Sequence, residues 1–331
     1  MLTIGTGDLT YEASLDWYQL PRDIALFEAI GVAVDSHDNL FVFNRGNPSI
    51  VVFDSDGKFL QGWGNNLIVR PHGIWIAEDD TIYLVDDIGH SVRQFTADGQ
   101  LLRTIGPSGT ASESGAEGFD FRTMKHGAPP FNLPTNLVTA GSGEMFVTDG
   151  YGNARVHRFS AEGELIQSWG EPGEGPGQFR VPHGIGIDRD ERLYVADREN
   201  SRVQIFSTAG ELLNQWTDLV RPCQVYIGKD DLVYIAELGD YNGLFPWMER
   251  RDDAIGGRVS IFDMSGTLLS RWGGGYDSRQ PHEFHAAHDI CVDSRGDIYV
   301  GEVSLTAAEM AGEDPTGLPV LRKFVRRSAT T

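Results

Sequence analysis

The stretch that decides the fold reads Val181-Pro182-His183-Gly184-Ile185-Gly186-Ile187-Asp188 and resumes, after a polar turn, as Leu193-Tyr194-Val195-Ala196-Asp197-Arg198. Each half is a short apolar run with the length and composition of a β-strand. The first run opens with a histidine, and the second ends in an acid followed by an arginine. The stretch therefore predicts a strand–turn–strand unit with reactive side chains gathered at one end.

The same unit recurs along the chain, and a third strand ending in Phe and a fourth ending in Trp-Gly usually follow it. The copies open at Gly31, His72, Pro134, Val181, Pro222 and His288. Two successive third strands end at Phe53 and Phe95, which are 95 − 53 = 42 residues apart. This is the length of one propeller blade. Six copies of four short strands predict an all-β, six-bladed β-propeller.

The sixth copy lacks its fourth strand, because the chain ends soon after Phe324. Residues 11–17 resemble the missing strand, so we predict that this N-terminal segment completes the last blade and leaves few open sheet edges. Polar or Gly/Pro-containing insertions at residues 107–132, 238–257 and 303–318 interrupt the period and predict surface loops. No linker divides the repeats, so we expect residues 1–331 to form a single domain.

Composition narrows the possible partners and the compartment. The formal net charge of −21 disfavours nucleic acid and anionic membranes, because binding phosphates requires Lys and Arg. The two cysteines, Cys223 and Cys291, lie in apolar runs, which predicts buried free thiols and a reducing compartment. The first residues lack the pattern of a signal peptide, and no segment has the length of a membrane span. We therefore expect a cytoplasmic protein.

Histidines open the first strand of the second, fourth and sixth copies, at His72, His183 and His288. First strands line the central channel of a propeller, so these three side chains would surround its axis. Three neutral imidazoles with an open fourth position are typical of a catalytic zinc site, and they also suit another transition metal such as Fe²⁺. Any one of them alone is better explained as a hydrogen-bonded core histidine. Their shared position in alternate copies favours the metal.

The motifs extend beyond the histidines, in every copy except the fifth. They read Phe43-Asn44-Arg45-Gly46-Asn47, Pro71-His72-Gly73-Ile74, Asp149-Gly150-Tyr151-Gly152-Asn153-Ala154-Arg155, Val181-Pro182-His183-Gly184, Val195-Ala196-Asp197-Arg198-Glu199-Asn200 and His288-Asp289-Ile290. In these motifs the chain resembles the NHL-repeat propellers and, among them, the peptidyl-α-hydroxyglycine α-amidating lyases, which complete the C-terminal amidation of peptides.

The resemblance implies a zinc-dependent lyase that cleaves a carbinolamine, in which one carbon carries both a hydroxyl group and a nitrogen. The three histidines match the zinc ligands of that family. Tyr151 matches its proposed catalytic base, while Arg45 and Arg198 match the arginines that hold the substrate and its carboxylate. The substrate implied is a small molecule that carries a carboxylate. Without such roles, Tyr151 would cover a turn, and the two arginines would pair with nearby acids.

The resemblance also implies a structural calcium site. Asp289 matches its carboxylate ligand, and Val32 and Ile74 match positions that contribute backbone carbonyls. Alternatively, Asp289 accepts hydrogen bonds from backbone amides without any ion. Two departures from the family are visible. Ala286-Ala287 stand where the family has Met-Pro, and Gly152 and Ile205 stand where its secreted members have cysteines.

Two other functions are compatible with the same residues. A metal, a base and an anion clamp also suit a metal-dependent hydrolase, such as a lactonase, or a hydratase. A non-catalytic NHL scaffold that binds a protein partner is the second possibility. Stoichiometric metal in the purified protein would distinguish either enzyme from the scaffold.

Overall fold

The computed structural model describes residues 2–327 except 15, 242–244, 246 and 250. Its strands are, in chain order, β1 (Thr3–Thr6), β2 (Leu9–Ser14), β3 (Ala29–Val34), β4 (Leu40–Asn44), β5 (Ile50–Phe53), β6 (Phe59–Trp63), β7 (Pro71–Ile76), β8 (Ile82–Asp86), β9 (Ser91–Phe95), β10 (Leu101–Ile105), β11 (Pro134–Thr139), β12 (Met145–Asp149), β13 (Arg155–Phe159), β14 (Leu165–Trp169), β15 (Pro182–Ile187), β16 (Leu193–Asp197), β17 (Arg202–Phe206), β18 (Leu212–Trp216), β19 (Pro222–Ile227), β20 (Leu232–Glu237), β21 (Arg258–Asp263), β22 (Leu268–Gly273), β23 (Ala287–Val292), β24 (Ile298–Glu302) and β25 (Leu321–Arg326).

Within these described residues the strands form six antiparallel sheets. Five sheets contain four consecutive strands each (β3–β6, β7–β10, β11–β14, β15–β18 and β19–β22), and the sixth is ordered β1-β2-β25-β24-β23. Most consecutive strands are joined by short turns, which favours their pairing, whereas residues 238–257 join β20 to β21 and residues 303–320 join β24 to β25. This arrangement confirms the predicted fold class, an all-β six-bladed propeller.

Burial falls from the first strand of a sheet to the last. In the sheet that holds the opening stretch, β15 is buried except at its last residue and β16 is buried throughout. By contrast, β18 is exposed except at Trp216. Strands covered on both faces read as continuous apolar runs, which is why the first two strands of each copy were recognisable in the sequence.

The chain divides into two compact units, which we describe separately. Residues 63–225 form the unit that contains β7–β10, β11–β14 and β15–β18. Its core includes Phe146, Phe179 and Phe206 in one cluster and Phe131 and Phe159 in another. The second unit comprises residues 1–62 and 226–331, and its core includes Tyr11, Trp272 and Phe324. A single domain over residues 1–331 stays a prediction.

The N-terminal segment completes the last sheet, as predicted. Strand β2 pairs with β25, placing Tyr11 opposite Arg326 and Ser14 opposite Lys323. The pairing strand ends at Ser14, not at residue 17, and β1 adds a further strand beyond it. A two-residue turn joins β1 to β2, and its first residue, Gly7, has a φ of 58° that glycine adopts without strain. The short β1 has little apolar patterning, so the sequence did not reveal it.

One predicted loop is helical. Residues 303–318 contain the helix α1 (Ser304–Ala311), so the expectation of an irregular loop there was wrong. Ala307 and Ala308 are buried and favour the helix by their small size, and Gly312 ends it with a φ of 69°. Residues 107–132 contain only a short 3-10 helix (Phe121–Thr123) and an isolated bridge. In residues 238–257, the described part contains no helix or strand, while 242–244, 246 and 250 lie outside the description.

Both cysteines are buried and free, as their apolar surroundings predicted. Among the described residues, no helix has the length and hydrophobicity needed to cross a membrane.

Candidate functional site

Two of the three histidines that open alternate copies of the repeat lie in the unit of residues 63–225. Each stands at the start of the first strand of its sheet. The Nδ1 atom of His72, on β7, lies 2.6 Å from the carbonyl oxygen of Thr135. The Nδ1 atom of His183, on β15, lies 2.9 Å from the carbonyl oxygen of Cys223. A carbonyl only accepts, so each Nδ1 carries the hydrogen and each Nε2 keeps its lone pair. Both rings are buried and present Nε2 as a ligand or acceptor.

A glycine follows each of these histidines and allows the neighbouring strand to come close. A Cβ atom on Gly73 would lie 2.5 Å from the carbonyl oxygen of Thr135. On Gly184 it would lie 2.3 Å from the carbonyl oxygen of Cys223. Neither distance is possible for a real Cβ atom, so glycine at these two positions permits the close approach of the neighbouring strand.

The hydroxyl of Tyr151 connects the two imidazoles. Its oxygen lies 3.0 Å from Nε2 of His72 and 3.0 Å from Nε2 of His183. A single O–H can donate to only one of these two lone pairs. Ring nitrogens of the two histidines lie within 4.8 Å of one another. A cation placed at these nitrogens would satisfy both lone pairs, so the donor set fits a bound metal ion.

Arg198 approaches the same hydroxyl from the loop that follows β16. Its Nη1 atom lies 3.3 Å from the Tyr151 oxygen, and its guanidinium lies 5.3 Å from the centre of the tyrosine ring. The side chain is buried, and Nε donates to Glu199 Oε1 at 2.7 Å. Burial lowers the pKa of Arg198, but the Glu199 carboxylate and the Tyr151 hydroxyl together raise it by more. The pKa of Arg198 therefore lies above its ordinary value. Arg198 is therefore a fixed cation beside Tyr151.

Glu199 and Arg221 belong to this cluster, although the sequence patterns assigned neither of them a role. Arg221 Nη2 donates to Glu199 Oε1 at 3.0 Å, and its Nε lies 3.1 Å from Oε2. Burial raises the pKa of Glu199, but Arg221 and Arg198 together lower it below its ordinary value. Burial also raises the pKa of the neighbouring Cys223 thiol to about 11, so this thiol is protonated near neutral pH.

In the other unit His288 has the same orientation as the first two histidines. It lies on β23, is buried, and its Nδ1 is 2.8 Å from the carbonyl oxygen of Ile30. The next residue, Asp289, accepts hydrogen bonds from two backbone amides, Val32 N at 3.0 Å and Ile290 N at 2.8 Å. The neutral side chain of Gln224 accepts equivalent hydrogen bonds from the backbone amides of Ile185 and Val225. The bonds of Asp289 are therefore of a kind that needs no ion.

Arg45, the other predicted substrate arginine, follows β4 and donates to Glu28 at 3.0 Å. Glu28 is fully buried and also accepts from the backbone and hydroxyl of Thr306, in α1. This ion pair is the alternative that the sequence left open for Arg45. A role in substrate binding stays a prediction.

Asp149 and Asp197, at the ends of β12 and β16, accept hydrogen bonds from backbone amides of preceding segments. Asp149 accepts from the backbone amide of Asn132 at 2.9 Å, and Asp197 accepts from that of Arg180 at 2.7 Å. Arg202 also donates to Asp197, at 2.7 Å. These bonds fix the segments that lead into β11 and into β15, the strand that carries His183.

Residues 179–206, which include His183 and Arg198, match the NHL repeat family. The chain is 33% identical over 235 residues to the peptidylglycine alpha-amidating monooxygenase of Rattus norvegicus, in a match that covers 60% of the chain and 22% of that protein. It is 30% identical to NHL repeat-containing protein 3 of Homo sapiens, over 60% of the chain and 57% of that protein. The match to the peptidyl-alpha-hydroxyglycine alpha-amidating lyase 1 of Drosophila melanogaster is 30% identical, over 48% of the chain and 29% of that protein.

The chain thus spans less than two thirds of each of these relatives, and only about a fifth of the monooxygenase. Its resemblance to the NHL-repeat propellers and to the amidating lyases is confirmed.

Solved structures share the fold at low identity. A gluconolactonase from Xanthomonas campestris superposes with a TM-score of 0.60 at 14% identity, over 98% of the chain and 95% of that structure. A virginiamycin B lyase from Staphylococcus aureus gives 0.57 at 14%, over 88% and 82%. At identities this low, the similarity to these two structures shows the propeller fold alone.

Proposed function

We propose that this protein is a metal-dependent lyase that cleaves a carboxylate-bearing carbinolamine, or a related small α-hydroxy compound. One observation carries the proposal. The Tyr151 hydroxyl lies 3.0 Å from Nε2 of both His72 and His183 and 3.3 Å from the Arg198 guanidinium. A proton acceptor, two metal-ligand nitrogens and a cation thus meet at one buried point. The similarity to proteins named amidating lyases supports the same reaction class.

We further propose that His288 supplies the third nitrogen. His72, His183 and His288 together make a candidate ligand group for one ion. All three direct Nδ1 to a backbone carbonyl, which leaves a neutral Nε2 for coordination. Such a set suits zinc or another transition metal such as Fe²⁺. Zinc bound there would supply Lewis acidity toward the substrate hydroxyl.

The chain's own residues would carry the remaining steps. Arg198 would bind the substrate carboxylate, since a guanidinium pairs with a carboxylate through two parallel hydrogen bonds. Arg45 would be a second contact to the substrate. Tyr151, in its phenolate form, would accept the hydroxyl proton as the carbon–oxygen double bond forms and the carbon–nitrogen bond breaks. The same proton then passes to the departing nitrogen, so an amide and a carboxylate-bearing aldehyde leave without net proton release.

A calcium ion at Asp289, with the backbone carbonyls of Val32 and Ile74, remains part of the proposal. Hard oxygen ligands of this kind suit calcium. The alternative is that Asp289 serves only the amides of Val32 and Ile290, as Gln224 serves those of Ile185 and Val225. Calcium content of Asp289→Asn relative to the wild type decides between them.

The test combines elemental analysis with glyoxylate release from α-hydroxyhippurate. We expect about one transition-metal ion per chain, and activity that both Tyr151→Phe and His183→Ala reduce by a factor of about 10² or more. Tyr151→Phe should retain the metal, whereas His183→Ala should lose it. His37→Ala, at an exposed histidine in the turn between β3 and β4, is the control.

Full activity in both variants would refute the assignment of Tyr151 and His183 to the active site. A metal-containing wild type that hydrolyses lactones but releases no glyoxylate would favour the hydrolase. A protein without metal would favour the scaffold.

A further inference from the structure

Arg221 lies where the third and fourth copies of the repeat have an apolar residue, although the second copy has Arg70 at the same position. Arg221 precedes Pro222 as Val181 precedes Pro182 and Leu133 precedes Pro134, and all three have a left-handed backbone, with φ of 47°, 60° and 61°. Val181 and Leu133 pack in one apolar cluster with Tyr151. Arg221 is only 3% exposed. A buried charge is costly unless it is paired, so a purely structural role would be better served by an apolar side chain here.

Glu199 connects Arg221 to Arg198. Its Oε1 atom accepts both from Arg198 Nε, at 2.7 Å, and from Arg221 Nη2, at 3.0 Å. Two guanidiniums thus share one carboxylate, and the three side chains together keep one positive charge. Arg198 alone would be neutralised by Glu199 and would attract a substrate carboxylate weakly.

We propose that Glu199 and Arg221 are positioning residues for Arg198: Glu199 holds its guanidinium toward Tyr151, and Arg221 keeps the cluster cationic so that it binds an anion. This inference rests on the proposed function for the identity of that anion, a substrate carboxylate. The fifth copy of the repeat, which contains Arg221, lies outside the motifs shared with the amidating lyases.

The two residues should change kinetics in different ways. Arg221→Gln leaves Glu199 to neutralise Arg198, so KM for α-hydroxyhippurate should rise about tenfold or more while kcat changes little. Arg221→Lys keeps a cation and should recover part of the loss. Glu199→Gln removes the negative charge and the anchor of Arg198, so kcat should fall while KM does not rise. The methyl ester of α-hydroxyhippurate has no carboxylate, and Arg221→Gln should leave its KM unchanged.

Arg189→Gln is the matched control, because Arg189 is an exposed arginine in the turn that follows β15, and its loss makes the same change in net charge. It should leave both kinetic constants unchanged. An Arg221→Gln variant with unaltered KM, or with equal effects on the acid and the ester, would overturn the inference.

Two measurements keep this inference separate from the proposed lyase activity. The first is urea unfolding of Glu199→Gln, Arg221→Gln and the double variant, where the double effect should be smaller than the sum because the groups are paired. Additive changes in the free energy of unfolding would show that Glu199 and Arg221 are not coupled, and would overturn the inference. The second is calorimetric binding of hippurate, an unreactive carboxylate, which Arg221→Gln should weaken about tenfold. If the wild type releases no glyoxylate, the lyase proposal fails and hippurate binding decides this inference. Absence of hippurate binding to the wild type would overturn it as well.

Discussion

At the scale of single residues, the orientation of His183 depends on a carbonyl and a glycine that are not part of its own side chain. The carbonyl of Cys223 fixes the tautomer, and Gly184 allows the two strands to approach. Substituting Gly184 should therefore disturb the orientation of this proposed metal ligand without removing it.

Gly184→Ala tests this dependence. Its new Cβ would lie 2.3 Å from the carbonyl oxygen of Cys223, so β15 must shift and lengthen the His183 hydrogen bond. We expect a loss of about 1–3 kcal/mol in the free energy of unfolding, measured by urea denaturation, and weaker metal binding.

Gly141→Ala is its control, because a Cβ there meets nothing nearer than 3.9 Å. Its stability and metal affinity should stay close to those of the wild type. Equal behaviour of the two variants would contradict this role of Gly184.

At the scale of elements, the last sheet depends on a strand from the opposite end of the sequence. Tyr11 on β2 is fully buried, its ring lies 5.4 Å from that of Trp272, and its hydroxyl accepts from Arg326 at 3.1 Å. Such a residue joins the N-terminal segment to the core of its unit.

Tyr11→Ala should accordingly destabilise the protein by about 3–5 kcal/mol, the range for a large aromatic side chain removed from a core. Chemical denaturation measures the change. Leu2→Ala, at a largely exposed position in the same segment, should cost less than about 0.5 kcal/mol. Two variants of equal stability would show that β2 does not hold the sheet.

At the scale of the whole molecule, the proposed ion would bind side chains from three different sheets. A ligand that binds only the folded chain stabilises it, by about 2.7 kcal/mol when its free concentration is a hundred times Kd. We expect removal of the metal by a chelator to lower the melting temperature by several degrees, and added Zn²⁺ to restore it. His288→Ala should lose this response while keeping the far-ultraviolet circular dichroism of a β-protein. A metal response that survives in His288→Ala would exclude this histidine as a ligand.

The sequence by itself determined the six sheets, the pairing of β2 with β25, and the position of each histidine at the start of a strand. These features depend on local apolar runs and on a repeated spacing, both of which can be read along the chain. Only the tertiary structure placed Arg221 beside Glu199 and Glu28 beside Arg45, and turned residues 304–311 into a helix. Those outcomes depend on contacts between segments distant in sequence, where burial fixes which charges must pair and no local pattern records the partner.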